Sequence, residues 1–249
     1  MDDFSLLIDL HGVSERQGPG GRAETRMALE LANLDTQTPL RVLDIGCGTG
    51  ASALQLVGSL DADVFAVDLS AEFIETLADR ALEKSLADRL HPMVASMEGL
   101  PFPDGEFDLI WSEGAVYNMG FAAGVSAWRR LLAPQGMLVV SEITWTTATR
   151  PQALQQYWNT HYSEIDTAAA KIAVLENCGY QPVAYFVLPE SCWLDNYYTP
   201  IQACFADFLA RHPDDPQALE LVAMEREEIA FYNKYKHHYS YGVYIARKL

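Results

Sequence analysis

Residues 43–50 read Leu-Asp-Ile-Gly-Cys-Gly-Thr-Gly and follow directly on Arg41-Val42. A short apolar strand runs into three alternating glycines, and a helical pattern starts at Ala51. Gly46, Gly48 and Gly50 carry no Cβ, so the backbone can turn tightly and approach a ligand closely. The turn delivers that ligand to the free N–H groups of a helix N-terminus. Loops of this kind hold nucleotide-like cofactors at the C-terminal edge of a parallel sheet.

Gly46 to Ala51 formally fits the dinucleotide fingerprint G-x-G-x-x-G/A, and Asp68 follows at the end of the next apparent strand. Two details point away from a dinucleotide. Asp44 stands two residues before the first glycine, where a carboxylate would face a pyrophosphate unfavourably, and Gly50 is a glycine that pattern does not need. A cofactor with positive charge and no phosphate suits the loop better. S-adenosyl-L-methionine, with an ammonium, a sulfonium, one carboxylate and a ribose, is such a molecule.

The stretch from Val42 to Gly50 resembles the first motif of class I S-adenosylmethionine-dependent methyltransferases, and further matches follow in order. Val64–Ser70 resembles the second strand with its ribose-binding acid, Asp68. Ala95–Phe102 resembles the adenine-side loop, Phe107–Ser112 the fourth strand, and Leu131–Leu138 the turn into the fifth. The likeness covers about residues 40–145 and lies with the broad group of small-molecule enzymes. It implies a cofactor set of Asp44, Gly46, Cys47, Gly48, Asp68, Leu69, Ser96, Met97, Glu98 and Ser112. The family often has Asp where Ser96 stands. The reaction would leave S-adenosyl-L-homocysteine.

Outside the motifs, continuous apolar runs at Val42–Ile45, Val64–Val67, His91–Ala95, Phe107–Trp111 and Met137–Ile143 read as strands covered on both faces. Helical stretches near 51–59, 71–86 and 121–132 alternate with them, which implies a doubly wound, mostly parallel Rossmann-like sheet. Tyr180–Leu188 and Tyr239–Ala246 complete seven strands, the last antiparallel. Arg22–Leu34 reads as a helix with Met27, Leu31 and Leu34 as its apolar stripe. Pro151–Tyr162 and Asp166–Cys178 read as helices, the second capped by Gly179. The chain divides as one domain: a cap over 1–38, a cofactor-binding core over 39–188, a helical insertion over 189–238 and the last strand over 239–249. Asp215-Pro216 starts the long inserted helix, with Leu219, Val222, Ala223, Ile229 and Ala230 on its apolar face.

Acceptor-side candidates sit on loops after the fourth and fifth strands and, for Trp193 and Tyr197, in the insertion. Glu113, Tyr117 and Asn118 are the catalytic candidates, with Glu113 or Tyr117 as base. Glu142, Trp145, Trp193 and Tyr197 are the substrate-binding candidates, aromatic and acidic groups suited to a cation or an oriented nucleophile. Methyl transfer asks mainly for in-line placement.

The 249 residues carry 34 acidic and 17 basic side chains, a net charge of −17, which repels phosphate backbones and argues against nucleic acid as partner. A small neutral or cationic substrate is expected. No apolar run approaches the ~20 residues of a membrane span, and Met1–Phe4 lacks the basic start of a signal peptide, so a cytoplasmic setting without membrane is expected. Four cysteines without C-x-x-C spacing indicate no metal site and no disulfide framework. A nicotinamide-dependent oxidoreductase and a non-catalytic cofactor-binding module are the rival readings, and the insertion could serve as a lid or a homodimer surface.

Overall fold

The computed structural model describes residues 3–35 and 37–249, with side chains from residue 5 onward; Met1-Asp2 and Thr36 lie outside the described residues. The central layer is a twisted sheet. Its strands are β1 (Leu40–Ile45), β2 (Ala62–Asp68), β3 (Leu90–Val94), β4 (Phe107–Ser112), β5 (Leu132–Trp145), β6 (Asp166–Thr167), β7 (Tyr180–Val187) and β8 (Tyr239–Lys248). Seven of them run in the order β3-β2-β1-β4-β5-β8-β7, and the two-residue β6 pairs with the end of β5. The first five strands are mutually parallel, while β8 is antiparallel to both neighbours. The direction of the order reverses between β1 and β4, the switch point at which open α/β sheets bind ligands.

The helices are α1 (Asp3–His11), α2 (Arg22–Ala32), α3 (Ala51–Ser59), α4 (Ala71–Glu83), α5 (Phe121–Trp128), α6 (Gln152–His161), α7 (Ala168–Asn177), α8 (Glu190–Trp193), α9 (Thr199–Arg211) and α10 (Pro216–Tyr235). Two apolar clusters cover the two faces of the sheet, one with Val42, Val64 and Leu109, the other with Leu43, Ile45 and Ile110. Alternate residues of one strand thus feed opposite cores, which is why these strands are apolar throughout. A third cluster joins α1, α9 and α10 to the rim of β5 and β8 through Leu10, Phe208, Val222 and Tyr239.

The structure differs from the sequence reading in several places. α7 starts at Ala168 rather than at Asp166, because Thr167 caps it, its Oγ1 accepting from Ala170 N at 3.3 Å, while Asp166 and Thr167 add an eighth, two-residue strand. β5 begins at Leu132, so the preceding helix ends at Trp128 and gives way to a 3₁₀ turn over Arg129–Leu131. On α2, Met27 and Leu31 are exposed; Thr25, Ala28 and Ala32 form the buried face. On α10, Leu219, Ala223 and Ala230 are exposed, and Ala218, Leu221, Glu225 and Tyr232 join Val222 and Ile229 inside. Among the described residues no helix is long and apolar enough to cross a membrane.

Candidate cofactor and acceptor site

At the end of β1 the chain enters the glycine loop with φ of +72° at Gly46, +55° at Gly48 and +90° at Gly50. These angles favour glycine strongly. Space adds a second demand at Gly46, where a Cβ would strike Ala115, and at Gly48, where it would strike the Gln17 side chain. The loop is anchored to β2: Gly46 and Cys47 donate to the Val67 carbonyl at 2.9 and 3.0 Å. Asp68 completes the anchor, accepting from Gly48 N at 2.9 Å through Oδ2 and from Ser70 N at 3.0 Å through Oδ1.

Asp44 is fully buried behind this loop. Its Oδ2 accepts from Ser52 Oγ at 2.9 Å, and its Oδ1 has no hydrogen-bond partner among the described residues. Burial pushes the carboxyl up to about 7, the bond from Ser52 opposes this, and the Glu113 charge adds to it. Burial likewise holds the Cys47 thiol well above its ordinary value, so it does not serve as a thiolate nucleophile.

The loop opens into a cavity of about 620 Å³. One wall is the sheet edge: Gly46, Cys47, Gly48, Asp68, Leu69, Ser96, Met97 and Glu98. The opposite wall is helical, with His11 from α1, Tyr197 from a π turn over Leu194–Tyr198, and Glu225 and Glu228 from α10. Tyr117 and Asn118 lie on a 3₁₀ turn after β4 and face the same space. An orphaned buried carboxylate oxygen behind a glycine cradle fits a cofactor with a cationic end.

Residues 42–136 match the family described as "Methyltransferase domain". Over that stretch the chain is similar to a methyltransferase domain. It is similar to the ribosomal protein arginine N-methyltransferase rmt3 of Schizosaccharomyces pombe, 29% identical over 60% of this chain and 28% of that protein. It is also similar to the 27-O-demethylrifamycin SV methyltransferase of Amycolatopsis mediterranei, 32% identical over 48% of this chain and 45% of that one. The chain thus spans less than half the length of these curated relatives. In fold it resembles an S-adenosylmethionine-dependent methyltransferase of Geobacter sulfurreducens, solved with S-adenosyl-L-homocysteine, at a TM-score of 0.85 and 20% identity over 99% of this chain and 98% of that one.

Around this cavity several candidates have other tasks than the sequence suggested. Glu113 touches the cavity, but its carboxylate is taken: Oε2 pairs with Arg16 Nη1 at 2.6 Å, and Oε1 accepts from Thr25 Oγ1 and Trp111 Nε1, each at 2.9 Å. It is a clamp that ties the segment between α1 and α2 to β4, not a free base. Glu142 does not reach the cavity; it forms a buried ion pair with Lys171 at 3.2 Å, and burial raises its carboxyl despite that partner. Trp145 is core, stacked under the Arg150 guanidinium at 4.1 Å. Trp193 is core as well, donating to Ser240 Oγ at 2.9 Å and stacked on Tyr232 at 4.5 Å. These three are pulled inside because β5 and β8 extend past the cavity and carry the helical layer. Ser112 is buried behind the loop, its hydroxyl donating to the Ile45 carbonyl at 2.9 Å.

The N-terminal region was expected as a cap, but its direct contact with the glycine loop was not anticipated. Gln17 bridges it to the glycine loop: its Oε1 accepts from Thr49 N at 2.9 Å, and its Nε2 donates to the His11 carbonyl at 3.1 Å and to Thr49 Oγ1 at 3.0 Å. His11, Glu225 and Glu228 were not anticipated either. One signal was present: Glu225 falls between Val222 and Ile229 at helical spacing, an acid on an apolar stripe, and such groups are rarely buried without purpose.

Proposed function

We propose that this protein is an enzyme that transfers a methyl group from S-adenosyl-L-methionine to a small molecule. The observation that carries the reading is Asp44: a buried carboxylate with one free oxygen, directly behind the glycine cradle. Such a group opposes the pyrophosphate of a nicotinamide cofactor and favours a sulfonium and an ammonium. Bound there, the cofactor supplies an electrophilic methyl on sulfur. Asp68, fixed by Gly48 N and Ser70 N, is oriented to accept from the ribose hydroxyls. Met97 and Ser96–Glu98 flank the adenine, Gly46, Cys47, Gly48 and Leu69 line its course, and Asp44, buried behind the loop with Ser112 and not itself lining the cavity, acts on the methionine end through its charge.

The remaining volume faces α1, Tyr197 and α10. A cavity of about 620 Å³ matches a cofactor plus a small acceptor rather than a folded macromolecule. Residues 189–238 act in this reading as a cover, since their inner side carries Tyr197, Glu225 and Glu228 to the cavity. Closure of that cover excludes water and fixes the reacting geometry. The test is incubation with S-adenosyl-L-methionine and a fractionated metabolite pool. The expected result is a product heavier by one CH₂ unit, formed together with S-adenosyl-L-homocysteine. Methylation of proteins or RNA in preference to every metabolite fraction would contradict the small-molecule assignment.

A further inference from the structure

The helical wall of the cavity has its own chemistry. His11 Nε2 lies 3.0 Å from Glu225 Oε1, and both residues are buried, at 5% and 8% exposure. Glu225 Oε2 is buried too, and has no hydrogen-bond partner among the described residues. A buried acceptor left unmet is costly, so a donor from a ligand would relieve it. One turn further along α10, Glu228 accepts from Tyr198 Oη at 2.9 Å and still presents surface to the cavity. Protein surrounds that cavity, so thinned hydration, followed by the Glu225 charge, raises the Glu228 carboxyl above its ordinary value. The Tyr197 ring stacks on His11 at 6.2 Å.

Charge narrows the ligand class. Five acids line the cavity (Asp68, Glu98, Glu113, Glu225 and Glu228) against one arginine and one histidine, and that arginine is bound to Glu113. Carboxylate and phosphate acceptors would meet like charge. An ammonium offers three N–H donors and a positive charge to two acids beside an aromatic ring.

We propose that the methyl acceptor is a small amine, held as its ammonium against Glu225 and Glu228 beside Tyr197, and that His11 takes the proton whose loss frees the nitrogen lone pair. The assignment rests on the methyltransferase reading above. In the step, the ammonium N–H bond breaks and its proton moves to the imidazole. Nitrogen then forms its bond to the donor methyl as the carbon–sulfur bond breaks, sulfur keeps that electron pair, and the product is a methylated ammonium. Glu225 is a positioning residue: it fixes the His11 ring and presents its second oxygen to the amine. Around this end the titratable groups are Glu225 and Glu228 from α10, Tyr197 and Tyr198 from the π turn, and Tyr117 and Arg16.

The test uses the full chain and a matched set of benzylamine, N-methylbenzylamine, phenol, phenylmethanethiol and benzoate. Each is titrated calorimetrically in the presence of S-adenosyl-L-homocysteine and assayed for methyl transfer. Only the two amines are expected to bind and react. Glu228→Gln and Glu225→Gln should each weaken amine binding about tenfold or more, with melting temperature and S-adenosyl-L-homocysteine affinity retained. His11→Gln and His11→Asn should keep amine affinity, lower kcat, and change the shape of the kcat–pH profile. Preference for phenol, thiol or benzoate, binding of none of the five, or wild-type amine affinity in both glutamate variants would overturn the amine assignment. Absence of S-adenosyl-L-homocysteine binding to the wild-type chain would instead remove the methyltransferase reading beneath it.

Discussion

Replacing Glu113 by Ala should act first on stability. The carboxylate holds Arg16, whose side chain is 9% exposed, and also accepts from Thr25 and Trp111. Its loss leaves a buried guanidinium and an indole N–H without their partner. Removing one member of a buried ion pair costs about 3–5 kcal/mol. The side chain of Glu113 itself is 17% exposed, which places the expected loss at the low end, ~3 kcal/mol. For a domain of this size that corresponds to a fall of roughly 6–12 °C in melting temperature. Differential scanning calorimetry at neutral pH reads it directly. Converting both partners to apolar residues, Arg16→Met with Glu113→Met, should recover most of the loss, because the desolvation of both charges disappears together. If Glu113→Ala melted like the wild type while kcat fell by orders of magnitude, Glu113 would be a catalytic base and its clamp role would be wrong.

Three further predictions concern the cofactor wall. Asp68→Ala should weaken S-adenosyl-L-methionine binding by about 1.5–3 kcal/mol, the scale of hydrogen bonds to a charged group, and unchanged calorimetric affinity in a folded variant would take Asp68 out of the site. Gly48→Val should lose cofactor binding with the domain still folded, because Gly48 sits at φ +55° and its Cβ would displace Gln17; normal binding would reduce the loop to a structural turn. Asp44 titrates near 3.8 when exposed and about 7 in the fold, so the folded chain binds its proton more tightly. Its effect on stability is therefore absent below the lower value and grows unfavourable as pH rises toward 7. Asp44→Asn should flatten that decline in melting scans from about pH 3 to about pH 8, a range that brackets both values, and an equal slope in the variant would count against the assignment.

The sheet-edge half of the site was legible because its signals are local. The glycine loop, Asp68 and Ser96–Glu98 each follow a strand within a few residues, and continuous apolar runs fix the strands themselves. Even the bounds of α3, 51–59, follow from the last glycine and the next charged turn. The helical half was not legible, because it is made by distant pairings: His11 and Glu225 meet across 214 residues of sequence. Hydrophobic size misled on α2, where small residues, Ala28 and Ala32, allow the helix to lie close to the sheet while Met27 and Leu31 face out. Position along the chain misled on Trp145, read as a loop residue after the fifth strand, and on Trp193, read as a pocket or core residue of the insertion. Nothing local shows that β5 and β8 run on beyond the cavity and draw both rings into a core of their own.

The central claim is the identity of the cofactor, and a pair of calorimetric titrations on one protein sample tests it most directly. S-adenosyl-L-methionine should bind saturably at one site per chain, with NAD and NADP giving no heat of binding. Saturable binding of a nicotinamide dinucleotide, with none of S-adenosyl-L-methionine, would contradict the account.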